Sequence, residues 1–361
     1  MITSFRRRWI APVLISATIA TCMVGETPQP EPHTFLRNKL AFSAADLTQL
    51  ETGRIIVKLP KTSETREVAA FAITRLDVPG EFFIDRVRDI VKFKTGDNVL
   101  QIGKFSNPPR IEDLAGLTLD QPDIEALRRC RVKSCELKMS AAFIERLQAI
   151  DWSRPDHDKQ VTVFVRAMLL EHVRTYLKSG NVGLGTYEDK SHALGIAEEV
   201  SALLKPASYM YGYLPEFQRY LEGYPLSRPG SSARYEDFLY WSKEDFGLKP
   251  VISLTHVTIY RPSADRESDA IIASKGIYAS HYFEASLGLT AFIKSRMSQP
   301  SRSYLIYVNR SRTDALRGLF AGFKRSMIGG RLRAGAEKNM EMIKQKLEAQ
   351  HEKTMSDSIT K

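Results

Sequence analysis

The sequence predicts an α+β fold in which an antiparallel sheet grips a long C-terminal helix and carries a mostly helical insertion. Three observations lead there. Residues 251–260, 270–280, 282–294 and 303–309 are rich in β-branched and aromatic residues and are separated by turn-forming stretches. From 313 to about 347 the apolar period becomes helical. A strand-like run at 68–76 lies far upstream, with a helical stretch at 111–245 between. Strands at both ends, with helices collected between and after them, describe one sheet packed by helices.

In chain order, Arg6-Arg7-Arg8, the apolar run 9–20 and the small residues after it read as an export signal over residues 1–22. The run is short for a membrane span. Ile19-Ala20-Thr21-Cys22 resembles a lipobox that would make Cys22 a lipidated first residue, although Thr21 departs from the usual small residue. Ordinary cleavage near residues 20–25 and an uncleaved anchor are the alternatives. The paired arginines also resemble a twin-arginine signal. The expected location is outside the cytoplasm, in the periplasm or as a lipoprotein anchored in a bacterial envelope.

Residues 23–49 form a tether and lead-in, with prolines at 28, 30 and 32 and a helix start at Ser43-Ala-Ala-Asp46. Residues 50–348 are expected to be one α+β domain, and 349–361 a polar, frayed tail. Strands are expected at 54–59, 68–76 and 98–105. Asp77-Val-Pro79 should stop the second strand and start a helix at 81–91. Within the insertion 111–245, helical spacing recurs at 121–130, 140–150, 159–178, 191–204 and 214–222. The loops between include 152–158 and the glycine-rich 180–187. In the closing helix, Leu316, Phe320, Phe323 and Met327 share a face that Ala336, Met340, Ile343 and Leu347 resume. Gly329-Gly330 marks a kink between the two runs.

Composition narrows the class. With 43% hydrophobic residues the chain can build a real core, and its formal charge is +10. In an exported protein that excess suits anionic lipid head groups or acidic polymers, not nucleic acid, unless it is simply a basic soluble surface. Arg310, Arg312, Arg317, Lys324, Arg325, Arg331 and Arg333 crowd the entry to the last helix, as a solvated face or a membrane-facing one. Cys130 and Cys135 would close a small disulfide loop in an oxidising compartment, or remain two thiols. No Cys or His pair is spaced to complete a metal site, and no cofactor is implied. Gly-x-Ser-x-Gly, His-Glu-x-x-His and Cys-x-x-Cys-His are absent, which argues against the common hydrolases and metalloproteases.

The strongest polar cluster is His256, Tyr260, Tyr278, His281, Tyr282 and Glu284. His256, His281, Glu284 and Tyr282 are candidate acid or base groups, and Tyr260 and Tyr278 candidate ligand contacts beside Phe320, Phe323 and Met327. The competing reading is cross-strand aromatics with a hydrogen-bonded core histidine. His281 and Glu284 differ in parity and share a face only across a bulge or turn. Asp151, Asp156, His157 and Asp158 could hold a metal, but read better as a polar loop capping the next helix.

The order of the strand 68–76, the helix after it, the strands of 251–309 and the closing helix resembles the START-type helix-grip fold. The segments 238–243, 250–253 and Tyr278-Ala-Ser-His-Tyr282 also resemble an uncharacterised family of bacterial exported proteins, which supplies no activity. The helix-grip resemblance implies a cavity for a lipid or other apolar small molecule. Three functions follow as expectations: sequestering or transferring a lipid-like ligand, acid/base catalysis at His256 or His281, or an envelope scaffold with no ligand. The oligomeric state is left open.

Overall fold

A computed structural model describes residues 34, 36–38, 41–62, 64–205, 215–225, 234–262, 269–294, 303–316 and 321–359, the last segment partly as backbone alone. Cys22, Phe320 and Arg317 lie outside these residues, as do the side chains of Phe323, Lys324 and Met327.

Strands β1 (Ile56–Lys58), β2 (Glu67–Leu76), β3 (Val99–Lys104), β6 (Tyr235–Glu244), β7 (Val251–Tyr260), β8 (Ala270–Ala279), β9 (Phe283–Lys294) and β10 (Ser303–Thr313) make one antiparallel sheet. Its order is β1-β2-β10-β9-β8-β7-β6-β3. The two-residue strands β4 (Thr186–Tyr187) and β5 (Leu194–Gly195) pair separately. The described helices are α1 (Ala44–Glu51), α2 (Gly80–Arg88), α3 (Ile90–Lys94), α4 (Gln121–Arg129), α5 (Ala141–Leu147), α6 (His157–Ser179), α7 (Ile196–Leu204), α8 (Pro215–Gly223) and α9 (Ala321–Ile359). None of them is long and apolar enough to cross a membrane.

Alternation along each strand sends successive side chains to opposite faces, and helices cover both. On the insertion side, Phe71, Leu254, Tyr260, Leu287 and Ile306 pack with α1 and with the helices between 121 and 223. On the other side, Ala72, Val257, Ile272, Phe292 and Leu305 pack with Phe83 and Val87 of α2 and with Ala336, Met340 and Leu347 of α9. Burying Met340 and Leu347 is worth about 1.5–3 kcal/mol each, which fastens the last helix to the sheet.

Local signals explain most element ends. Ser43 and Asp46 form a reciprocal capping box at α1. Pro79 caps α2, and Asp89, with φ −88° and ψ 60°, breaks the helix expected over 81–91 into α2 and α3. Residues 238–241, expected within the insertion, belong to β6 of the main sheet, so the helical stretch ends before Tyr235. The closing helix begins later than 313 because β10 continues to Thr313. Arg310 and Arg312 keep the strand alternation and bury against carboxylates, which hydropathy alone reads as a loop. At its other end α9 runs unbroken through Gly329-Gly330 and past residue 349 to Ile359. There the ring of His351 packs edge-on to Phe82.

Candidate ligand-binding site

The two faces of the sheet differ in side-chain size. On the face shared with α9, the inter-strand register sets Thr255, Gly276, Ser286 and Ser311 in one row across β7, β8, β9 and β10. The adjacent row is Ser274, Gly288 and Asn309, with Ala70 of β2 beyond. These are central strands, where apolar residues normally fill the layer between sheet and helix. Ser274, Gly276, Ser286 and Asn309 of these rows are instead half-buried, while Thr255, Gly288 and Ser311 are buried. The side chains of this floor are short, and their hydroxyls and amide supply donors and acceptors.

A charged pair borders the floor at β6. Lys94, the last residue of α3, places its Nζ 2.8 Å from Glu244 and 3.3 Å from the Tyr240 hydroxyl, and Ser242 donates to Glu244 at 2.6 Å. Burial pulls the Lys94 ammonium down, but Tyr240 and Glu244 outweigh it and hold its pKa above the ordinary lysine value. Burial likewise pushes the Glu244 carboxyl up, and Lys94 reverses it to a net lowering. The side chains are 28% and 15% exposed, so solvent or a ligand can reach an ion pair held in its charged form. Tyr307 accepts from Asn309 at 3.3 Å, and burial raises its phenol.

The residues singled out by sequence fall elsewhere. His256 is 1% exposed on the insertion side. Its Nε2 lies 3.0 Å from Asp237, which can only accept, so that nitrogen carries hydrogen; Nδ1 lies 2.7 Å from the Tyr176 hydroxyl. Burial pushes Asp237 up, yet hydrogen bonds from His256, Tyr220 and Thr258 bring its pKa down to about 2. Lys275 is also 1% exposed and donates to Asn181 at 2.7 Å beside the rings of Tyr176 and Tyr224. Burial lowers its pKa to about 7.

Tyr260 donates to Glu216 and stacks on Phe217, and Tyr278 donates to the Lys138 carbonyl at 3.1 Å. His281 lies 3.1 Å from Asp123 in a second closed pair. A turn at Tyr282, with φ +58°, separates it from Glu284, which pairs with Arg66 at 2.5 Å. Tyr282 accepts the Lys249 backbone N–H at 3.2 Å. The imidazoles of His256 and His281 therefore pair with different carboxylates, Asp237 and Asp123, and do not converge.

The remaining sequence features also find places. Cys130 and Cys135 form a buried disulfide. Asp151 accepts from Ser153 and Asp156 from Arg154 within their own loop, and Asp156 also accepts from the Gln160 side chain in the first turn of α6 but makes no side-chain cap on the helix backbone. Arg325 and Arg333 donate to backbone carbonyls of 57–65, and Arg310 and Arg312 pair with Glu67 and Glu199. Of the named basic residues, Arg331 and Arg333 are described as exposed on the helix.

The floor itself was missed by a reading that looked for catalytic types. Its signal was present, since Ser274 and Gly276, then Ser286 and Gly288, put small residues at alternate positions of otherwise apolar strands. No protein-family model, no curated protein and no solved structure matches the chain.

Proposed function

We propose that the protein binds an amphiphilic, lipid-like small molecule on the floor of short side chains between the sheet and α9, as a helix-grip binding protein. The observation that carries the reading is the pair of cross-strand rows of Ser, Thr, Gly and Asn on central strands, bordered by the Lys94–Glu244 pair. A binding site needs recessed surface with a few fixed polar groups. The polar head would lie on the hydroxyls and Asn309, and the apolar portion along half-buried Leu59 and Leu332. This ligand is more polar at one end than a plain apolar guest, because the apolar half of the face is already filled by α2.

The test is native mass spectrometry and solvent extraction of the purified chain beside Ser274→Leu and Ser286→Leu. Expected is a co-purifying amphiphile in the parent protein and its loss in both variants, with unfolding temperatures unchanged. An empty parent protein that also gains no stability from lipid mixtures would overturn the reading.

A further inference from the structure

The glycine-rich segment 180–187, which reads in sequence as a plain connection, forms one wall of a pocket on the opposite side of the sheet from the proposed ligand floor. Its volume is about 140 Å³, and its lining includes Met139, Met168, Tyr187 and Tyr278, all buried, below a lip at Thr175 and Thr186. Gly183 lets this wall lie flush, since a Cβ there would fall 2.8 Å from the Thr175 carbonyl oxygen. An apolar cavity of about 150 Å³ holds one benzene-sized ring. Methionine sulfurs and aromatic edges suit such a ring as a guest.

The lining also carries Ser140, Thr175, Thr186 and Glu171, which pairs with Arg146, and His172 gives the pocket direction. His172 lines it and places Nε2 2.8 Å from the Ile277 carbonyl, which can only accept, so Nε2 carries the hydrogen. Burial lowers the pKa of this imidazole, which leaves the ring neutral near pH 7 and Nδ1 an acceptor. No described protein group hydrogen-bonds to Nδ1.

We propose that this pocket binds a small monocyclic aromatic carrying one hydrogen-bond donor, a phenol in the simplest case, with its ring against Met139, Met168 and Tyr278 and its hydroxyl donating to His172 Nδ1. The contribution of His172 is selection: an isosteric ring without a donor fits the walls but leaves the acceptor unpaired.

Fluorine NMR titration of the full chain with 4-fluorophenol and with 4-fluorotoluene tests this. The phenol should bind saturably and about tenfold more tightly than the toluene. Thr175→Trp and Thr186→Trp, each at an exposed lip position, should abolish binding with the thermal transition kept. His172→Phe should bring the phenol to the affinity of the toluene. Equal affinities in the parent chain, no saturable shift with either probe, or binding that survives both lip variants would overturn the assignment.

Discussion

The Lys94 ammonium stands 2.8 Å from the Glu244 carboxylate, joining the C-terminal end of α3 to β6. Removing one member leaves the other half-buried without its counter-charge. Lys94→Met should cost about 1–3 kcal/mol in chemical denaturation, more than the double change Lys94→Met/Glu244→Gln. The lowered Glu244 pKa means its contribution is present above the ordinary glutamate range and lost as pH falls through the folded value. The raised Lys94 pKa means its contribution is present below the ordinary lysine range and lost as pH rises through the folded value. The difference between parent and Lys94→Met should therefore be largest between about pH 5 and 10.

Lys275 predicts the opposite sign. Its folded pKa of about 7 is depressed from 10.5, so the unfolded chain binds the extra proton between those values. Stability should rise with pH across that window, by up to about 1.4 kcal/mol per unit, and the cost should be complete below pH 7. Lys275→Met should flatten the slope and be the more stable protein at pH 6. An unchanged slope in paired denaturation series at pH 6, 8 and 10 would refute the assignment.

Two glycines should respond oppositely to alanine. A Cβ on Gly103 would fall 2.5 Å from Trp241 Nε1, an indole fixed by donating to the Asp113 carbonyl at 2.7 Å. Gly103→Ala should lower stability by about 1–3 kcal/mol. Gly335 lies inside α9 with open space around its Cβ position. Gly335→Ala should raise stability by about 0.5–1 kcal/mol, and thermal melts of both variants check the pair.

The Cys130–Cys135 disulfide spans a sequence separation of 5, so it restrains little of the unfolded chain. Replacing both cysteines by serine should cost about 2 kcal/mol, at the low end for a disulfide. Denaturation with and without reductant measures it; a cost several times larger would mean that the buried sulfurs act mainly through packing.

Much of the sheet was legible because its pattern is local. The strands 251–260 and 68–76 were visible from β-branched runs, and the helix 159–178 from its period, within one or two residues of β7, β2 and α6. Misreadings arose where a distant partner decided the outcome. Arg310 and Arg312 belong to a strand because Glu67 and Glu199 receive them, and 238–241 join the sheet because β7 and β3 flank them. The site was hidden for the same reason. Ser274 and Asn309 become one surface only through Gly288, a relation between three strands that no single segment contains.

The strand order carries one consequence for how the chain is made. β2, near the start, hydrogen-bonds on its inner side to β10, near the end. During synthesis its apolar edge stays unpaired until almost the whole polypeptide has emerged, since β9 must be in place for β10 to join it to the rest. The N-terminal strands therefore pass through a long interval as exposed, aggregation-prone edges. A chain stopped anywhere before β10 lacks the seam that joins its two ends.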